Sequence, residues 1–294
     1  MATRNRNWKW IIIFLLPIAA MYIAFFIYPF IFVFISSLMK WNGISPMEFV
    51  GFGNYAKMFG ATTFQISVRN NLIWAASLGF LQVGLATIVA FLLARRPRFW
   101  KGLRTVYFVP KVISGVAIAM LWKAVYNAEY GALNAVLSLI TGQEWSLNWL
   151  GEFHTALAAI IAQEVLYIGY FMIIILAGVM SIPTSYYEAA EIDGASVWQQ
   201  ETLITLPVVW GIVVTAMTLA MAYGLRHFEA TFLMTGGGPG HSTSTLALMM
   251  YDKIGARKLG EASTLGTILV VVGFLVIVTL NNTLGRKSLT GEDQ

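Results

Sequence analysis

Inside stretches otherwise built from aliphatic residues, this sequence carries a small group of side chains able to hold a ligand. They are Tyr107 and Lys111, then Gln163, Leu166, Tyr167 and Tyr170, then Tyr223, Gly224 and His227. Gln163, Leu166, Tyr167 and Tyr170 follow the i, i+3, i+4, i+7 spacing that predicts one helix face. Tyr223 and His227 are also one turn apart. Tyrosine rings offer flat apolar surfaces, and amide and imidazole groups offer hydrogen bonds, which suits reversible holding of a hydroxylated ligand. The alternative is that the same groups bond across helices as packing glue. Bond-making chemistry finds less support. No paired acids or Ser/Lys dyad is suitably spaced in the apolar stretches, and His154, His227 and His241 form no metal-ligand pattern. Cysteine is absent, which excludes thiol chemistry, disulfides and cysteine-bound metals.

Lys111 and Glu164 are the sharpest cases. A lysine central in a membrane span costs about 2.5–3.5 kcal/mol on insertion scales, so it needs a role or an escape. It can snorkel toward the interface, being seven residues past Arg104. It can face an anionic group together with His227, or it can pair with Glu164, which could equally meet a partner subunit. The sequence leaves these readings open.

The elements that must position these groups are membrane helices. The chain is 58% hydrophobic with 11% charged residues and a mean hydropathy of +0.71, too apolar for a soluble domain of 294 residues. Windows long enough to cross a hydrocarbon core of about 30 Å occur at roughly 10–38, 72–94, 106–125, 155–181, 206–225 and 263–280. The predicted fold is therefore all-α and integral to the membrane, a single domain over 1–294 with six transmembrane helices. The apolar run after Arg4, Arg6 and Lys9 is too long for a signal-peptide core and has no small-residue cleavage site, so it reads as an uncleaved first span. Pro17 and Pro29 predict that this span is kinked or partly interfacial.

The net charge of +5 belongs to orientation rather than to nucleic acid. Of 19 Lys and Arg, ten fall in three short stretches: Arg4, Arg6, Lys9, Arg95, Arg96, Arg98, Lys101, Arg104, Arg286 and Lys287. Placing these in the cytoplasm puts both termini inside. Loop 126–154 on the opposite side has no Lys or Arg, whereas loop 226–262 holds Arg226, Lys253, Arg257 and Lys258, so the rule holds by density. Trp8, Trp10, Trp41, Trp100 and Trp145 sit near span ends as interfacial anchors.

One segment is not apolar. Residues 183–207 protrude between two spans, carrying Glu188, Glu191, Asp193 and Glu201 with no Lys or Arg. Ser185 and Glu188 have capping-box spacing, Gly194 can close a helix in the left-handed region, and a second short helix can run from Ser196 to just before Pro207. Ala189 and Ala190 would let a partner approach closely. A solvated acidic loop is the plain alternative, but length, caps and the central glycine favour a folded helix–Gly–helix knob that docks on a basic cleft. The cluster Gly236-Gly237-Gly238-Pro239-Gly240 lacks the Gly-Lys-Ser/Thr ending and preceding strand of a phosphate loop. It reads as a re-entrant or hinged outer loop.

Glu188-Ala189-Ala190, then Asp193 before Gly194-Ala195, then Ile204-x-Leu206-Pro207, resembles the coupling loop of membrane subunits of type I ATP-binding-cassette importers. Further stretches are similar to the maltose-type carbohydrate permeases. They are Phe52-Gly53-x-Tyr55, Val109-Pro110, Trp122 to Asn134 with Tyr126-Asn127 and Gly131, Ile182-Pro183 with Tyr187-Glu188, and Thr235-Gly236-Gly237-Gly238-Pro239 with Thr245-Leu246. Together they span about residues 50–285. Without a long outer domain, and ending in Arg286-Lys287-Ser288-Leu289-Thr290, the chain is similar to the first of the two permease types.

The resemblance implies a transport subunit rather than an enzyme, in the bacterial cytoplasmic membrane. Its implied partners are a homologous second permease, an extracytoplasmic solute-binding protein and two ATPase subunits, which would bind ATP and Mg; this chain needs no cofactor of its own. It implies that Glu188, Ala189, Ala190, Asp193, Gly194, Ala195, Leu206 and Pro207 contact the ATPase. It also implies that Tyr107, Lys111, Gln163, Leu166, Tyr167, Tyr170, Tyr223, Gly224 and His227 line the substrate path, for an oligosaccharide or an anionic sugar. The family usually has an aromatic residue where Glu201 stands, so the cleft would be adapted to an acid. Importers of amino acids, metal, phosphate or glycerol phosphate are the alternative reading, with a membrane enzyme or scaffold behind it.

Overall fold

The computed structural model describes residues 8–285. Arg4, Arg6, Arg286, Lys287 and the tail after them, on which part of the orientation argument rests, lie outside the described residues. Five long apolar helices are present: Trp10–Ser37, Thr62–Ala94, Ala156–Val179, Val197–Leu225 and Leu259–Gly285. These are the first, second, fourth, fifth and sixth spans. The third is a broken pair, Trp100–Val112 and Gly115–Val125, bent by 100°.

The residues form two compact units. The smaller comprises 8–61 and 249–268 among the described residues. In it, Met39–Lys40 pairs antiparallel with Glu48–Phe49, closing a turn after the first span. Asn54 is the keystone, its amide donating to the carbonyls of Ser37 and Met39, both at 2.9 Å. Thr264 also donates to the Ser37 carbonyl, at 3.1 Å. Gly260 lies against the Met39 carbonyl, where any side chain would overlap it. Glu261 accepts from both Lys57 and Lys253, the latter at 2.6 Å.

The larger unit comprises 62–248 and 269–285 among the described residues. Its core is built from the second, fourth and fifth spans, with Trp74, Leu78, Ala86 and Ala90 packed among Ile160, Met172, Ile175, Val209, Ala216 and Ala220. Small residues let these helices approach closely, as membrane interfaces require. Gly79 packs against Met221, and Gly178 against the tip of Ile212, so a side chain at either glycine would require that neighbour to shift.

The second span begins ten residues before its apolar window, because its polar first turns are buried. Asn70 donates to the carbonyls of Ser242 and Ser244 at 2.7 and 2.9 Å, and Asn71 accepts from the Leu246 amide at 2.7 Å. These bonds pin the segment after Gly236-Gly237-Gly238-Pro239-Gly240, which is closed by Thr235–Thr243 hydroxyl contact at 2.8 Å. In this structure that segment is held as a hydrogen-bonded turn. Loop 126–154 also holds structure, including helix Ala132–Thr141.

Two prolines sit inside long helices by one device. A π turn at Ile23–Ile27 precedes Pro29, and another at Glu201–Thr205 precedes Pro207. In each, the residue before proline bonds five residues back, Tyr28 to Ile23 and Leu206 to Glu201. The widened turn absorbs the missing donor, and the helix continues. The second short helix expected to stop before Pro207 is therefore fused to the fifth span.

Candidate functional site

Two irregularities in the larger unit create a cleft. The third span breaks after Val112, with Lys111 in the turn before the break and Gly115 opening the helix after it. The fourth span changes course between Val165 and Gly169. Gln82, closing a π turn in the second span, spans that gap: its amide donates to the carbonyls of Glu164 at 2.8 Å and Tyr167 at 3.2 Å. Carbonyls freed by a break in a membrane helix must be satisfied this way. Gly169 is required because a side chain there would overlap the Tyr107 carbonyl.

Between the breaks lies a cavity of ≈ 200 Å³, lined by Lys111, Gln163, Glu164, Tyr167, Tyr223, His227 and Glu229, with Gly115 and Ile118 among the apolar walls. Lys111 Nζ is 3.9 Å from Glu164 Oε1 and 4.9 Å from the centre of the Tyr223 ring. Of the readings open for Lys111, an ion pair with Glu164 is the one this geometry contains. Gln163 Nε2 donates to Glu164 at 3.4 Å, a long bond. The Trp122 indole donates to the Tyr167 hydroxyl at 2.5 Å and fixes that ring. His227 stacks on Trp74 at 4.0 Å and meets the edge of Tyr223 at 5.6 Å. Gln163 Oε1 and His227 Nε2 are buried without a hydrogen-bond partner among the described residues. Buried polar atoms in that state are uncommon; both are closed to a water molecule, so a guest reaches them only when neighbouring side chains move.

Five of the nine residues expected in the substrate path line this cavity: Lys111, Gln163, Tyr167, Tyr223 and His227. Four do not. The interruption after Val165 ends the 3.6-residue period, so Leu166 and Tyr170 do not share the Gln163 face and are exposed, Leu166 in a separate groove with Phe153 and His154. Tyr107 is also exposed, and only its carbonyl faces Gly169. Gly224 serves packing: a side chain there would lie 3.0 Å from the backbone of Ala75. Sequence reasoning missed Glu229, Gln82 and Trp122. Glu229 lay past the apolar window, and an acid two residues after His227 was its available signal.

The protruding segment is folded. Helix Thr184–Ile192 starts directly after an extended Pro183 with no side-chain cap. Ser185 and Glu188 therefore fall at the second and fifth helical positions, not at the cap and third, and the expected capping box is not formed. The box stands one helix later, where Gln199 N donates to Ser196 Oγ at 3.4 Å and Ser196 N donates to Gln199 Oε1 at 2.7 Å. Gly194 has φ +75°. Its amide bonds to Glu191 and that of Ala195 bonds to Ala190 at 2.8 Å, the two-bond Schellman closure.

Ala190 is buried within the chain, while Glu188, Ala189, Asp193 and Gly194 are exposed beside Ile192, Val197 and Trp198. The outward face is thus apolar with an acidic border, and Trp198 is its largest group. Leu206 and Pro207 are helical residues of the fifth span. Glu201 accepts from Arg95 Nε at 2.9 Å and Nη2 at 2.7 Å, so its charge is matched inside the chain rather than held for a partner's cleft.

Buried polar groups at broken helices inside a membrane domain, with a folded knob between two spans, define a transport subunit without bond chemistry. The chain belongs to the family described as binding-protein-dependent transport system inner membrane component, which matches residues 82–288. It is 34% identical over 281 residues to a probable ABC transporter permease of Pyrococcus horikoshii, covering 94% of this chain and 95% of that one. It is 31% identical over 271 residues to the trehalose/maltose transport system permease MalF of Thermococcus litoralis, covering 90% of each. A bacterial alginate ABC transporter, solved with its alginate-bound periplasmic protein, contains a chain of the same fold (TM-score 0.80, 23% identity, 97% of this chain and 96% of that one).

Proposed function

We propose that this chain forms half of the translocation pore of an ATP-driven carbohydrate importer. The observation that carries this is the cavity: two tyrosine rings, a buried amide oxygen and a buried imidazole nitrogen meet where the third and fourth spans break. Rings stack on the C–H face of a sugar, and the charged and amide groups of the lining suit its hydroxyls. The trehalose/maltose name of one relative agrees with a sugar cargo. Lys111, Gln163, Tyr167, Tyr223 and His227 are the substrate-facing set.

In this reading an extracytoplasmic binding protein delivers the sugar, a homologous second permease completes the pore, and two ATPase subunits bind ATP and Mg. Both termini are cytoplasmic, and the knob at 184–200 faces the ATPase. Glu188, Ala189, Asp193 and Gly194, with Trp198 beside them, make the contact, while Ala190, Ala195, Leu206 and Pro207 shape the knob and its attachment. ATP-driven closure of the ATPases moves the knob, and access to the pore alternates.

Two experiments test the reading. Deleting the chain from its host is expected to stop uptake of the labelled sugar carried by the cognate binding protein, with that protein still loaded; undiminished uptake overturns the assignment. Gly194→Pro imposes φ near −65° where the chain has +75° and removes the amide bonded to Glu191. Transport is expected to be lost with binding-protein docking retained, and normal uptake in vesicles would remove the knob from the mechanism.

A further inference from the structure

The charged groups of the cavity carry information about the cargo beyond its being a sugar. Three ionisable side chains of fixed sign line it: Lys111, Glu164 and Glu229. Lys111 is held between Glu164 at 3.9 Å and the face of Tyr223 at 4.9 Å. Glu229 reaches the cavity over Gly115, where a side chain would come within 2.5 Å of its carboxylate. Arg226, exposed like Glu229, does not line the space, although its charge acts on Tyr223 in the cavity wall.

With both carboxylates ionised, the wall has one formal negative charge; with either protonated, it is neutral. Neither state leaves a surplus cation for a carboxylate or phosphate guest. A buried anion without a matching positive group is costly in a low-dielectric site, and like charges nearby add repulsion. The volume adds a second limit. At ≈ 200 Å³ the cavity is smaller than the roughly 300–1,000 Å³ of sites for drug-sized ligands, so it holds one ring at a time.

We infer that the cavity selects a single electroneutral or cationic sugar ring and discriminates against uronic acids and sugar phosphates, with Glu229 as a specificity-determining residue. This rests on the carbohydrate reading above and sets aside the anionic cargo that Lys111 suggested from sequence. Glu229 acts by charge rather than by shape: its carboxylate borders the cavity beside Gly115.

The test uses the chain assembled with its second permease and ATPase subunits in lipid nanodiscs and three disaccharide probes: N,N′-diacetylchitobiose (neutral), chitobiose (cationic) and a di-uronate (anionic). Dissociation constants come from saturation-transfer NMR titrations at pH 7. Wild type is expected to bind the neutral and cationic probes at least tenfold more tightly than the di-uronate. Glu229→Lys is expected to invert or abolish that ratio, and Glu229→Gln, which keeps the shape, to give an intermediate one. Equal or tighter di-uronate binding by wild type, or an unchanged ratio in both variants, overturns the inference and leaves the sugar site standing. Binding of none of the three overturns the carbohydrate reading itself, and the inference with it.

Discussion

Glu261 and Glu164 are equally buried, each side chain 10% exposed, yet they are handled in opposite ways. Glu261 is gripped by two lysines, Lys253 at 2.6 Å and Lys57 from the helix after the first span. Glu164 has one lysine at 3.9 Å, a neighbouring amide at 3.4 Å and a hydrogen bond from the Tyr223 hydroxyl. The first arrangement is finished and rigid. The second is held by longer contacts to Lys111 and Gln163 and shares Tyr223, a residue of the cavity wall. Equal burial therefore does not mean equal purpose: a fully matched carboxylate ties segments together, and a more loosely held one belongs to the cavity wall.

That contrast can be broken at its strong end first. Glu261→Ala strands two lysines and is expected to cost about 2–4 kcal/mol, below the figure for a fully buried pair because Lys57 is largely exposed. A lowered thermal unfolding midpoint in detergent would register it, and an unchanged midpoint would erase the distinction. Next comes Gln82→Leu, which withdraws the amide bridging the gap in the fourth span. It should cost about 1–3 kcal/mol, read from denaturant unfolding, and should loosen amide hydrogen exchange at residues 166–169. Glu164→Gln is smaller in stability, below about 1 kcal/mol, while uptake is expected to fall at least tenfold; a large stability loss with normal uptake would make Glu164 structural after all. Finest of all is a pair of double-mutant cycles. The Lys111–Glu164 coupling is expected under about 1 kcal/mol and the Lys253–Glu261 coupling clearly above it.

Much of this was legible in the residues, and the exceptions have physical causes. Apolar length anticipated the five long apolar helices and the bent pair, because bilayer thickness and helix rise leave little choice. It misplaced the start of the second span, where Ser67, Asn70 and Asn71 are buried by bonding to a loop that lies far along the chain. Helical spacing gathered Gln163 and Tyr167 correctly, but it carried Leu166 and Tyr170 with them, since the period assumes an unbroken helix. The break depends on a glutamine about eighty positions away, which no local pattern reports. Gly194 was readable as a left-handed stop because few other residues tolerate that conformation. The capping box was placed one helix early because Pro183, not a side chain, sets where the first knob helix begins. Glu229 escaped because attention to spans excludes the loops that dip between them.

The π turn ahead of Pro207 has a mechanical consequence. Because it carries the backbone past the proline, Val197–Leu225 is one continuous helix, with Val197 and Tyr223 about 39 Å apart along it. A joint at the proline would have dissipated a tug on the knob within the membrane surface. Under the proposed coupling, a partner that tilts the Val197 end also displaces Tyr223 in the cavity wall.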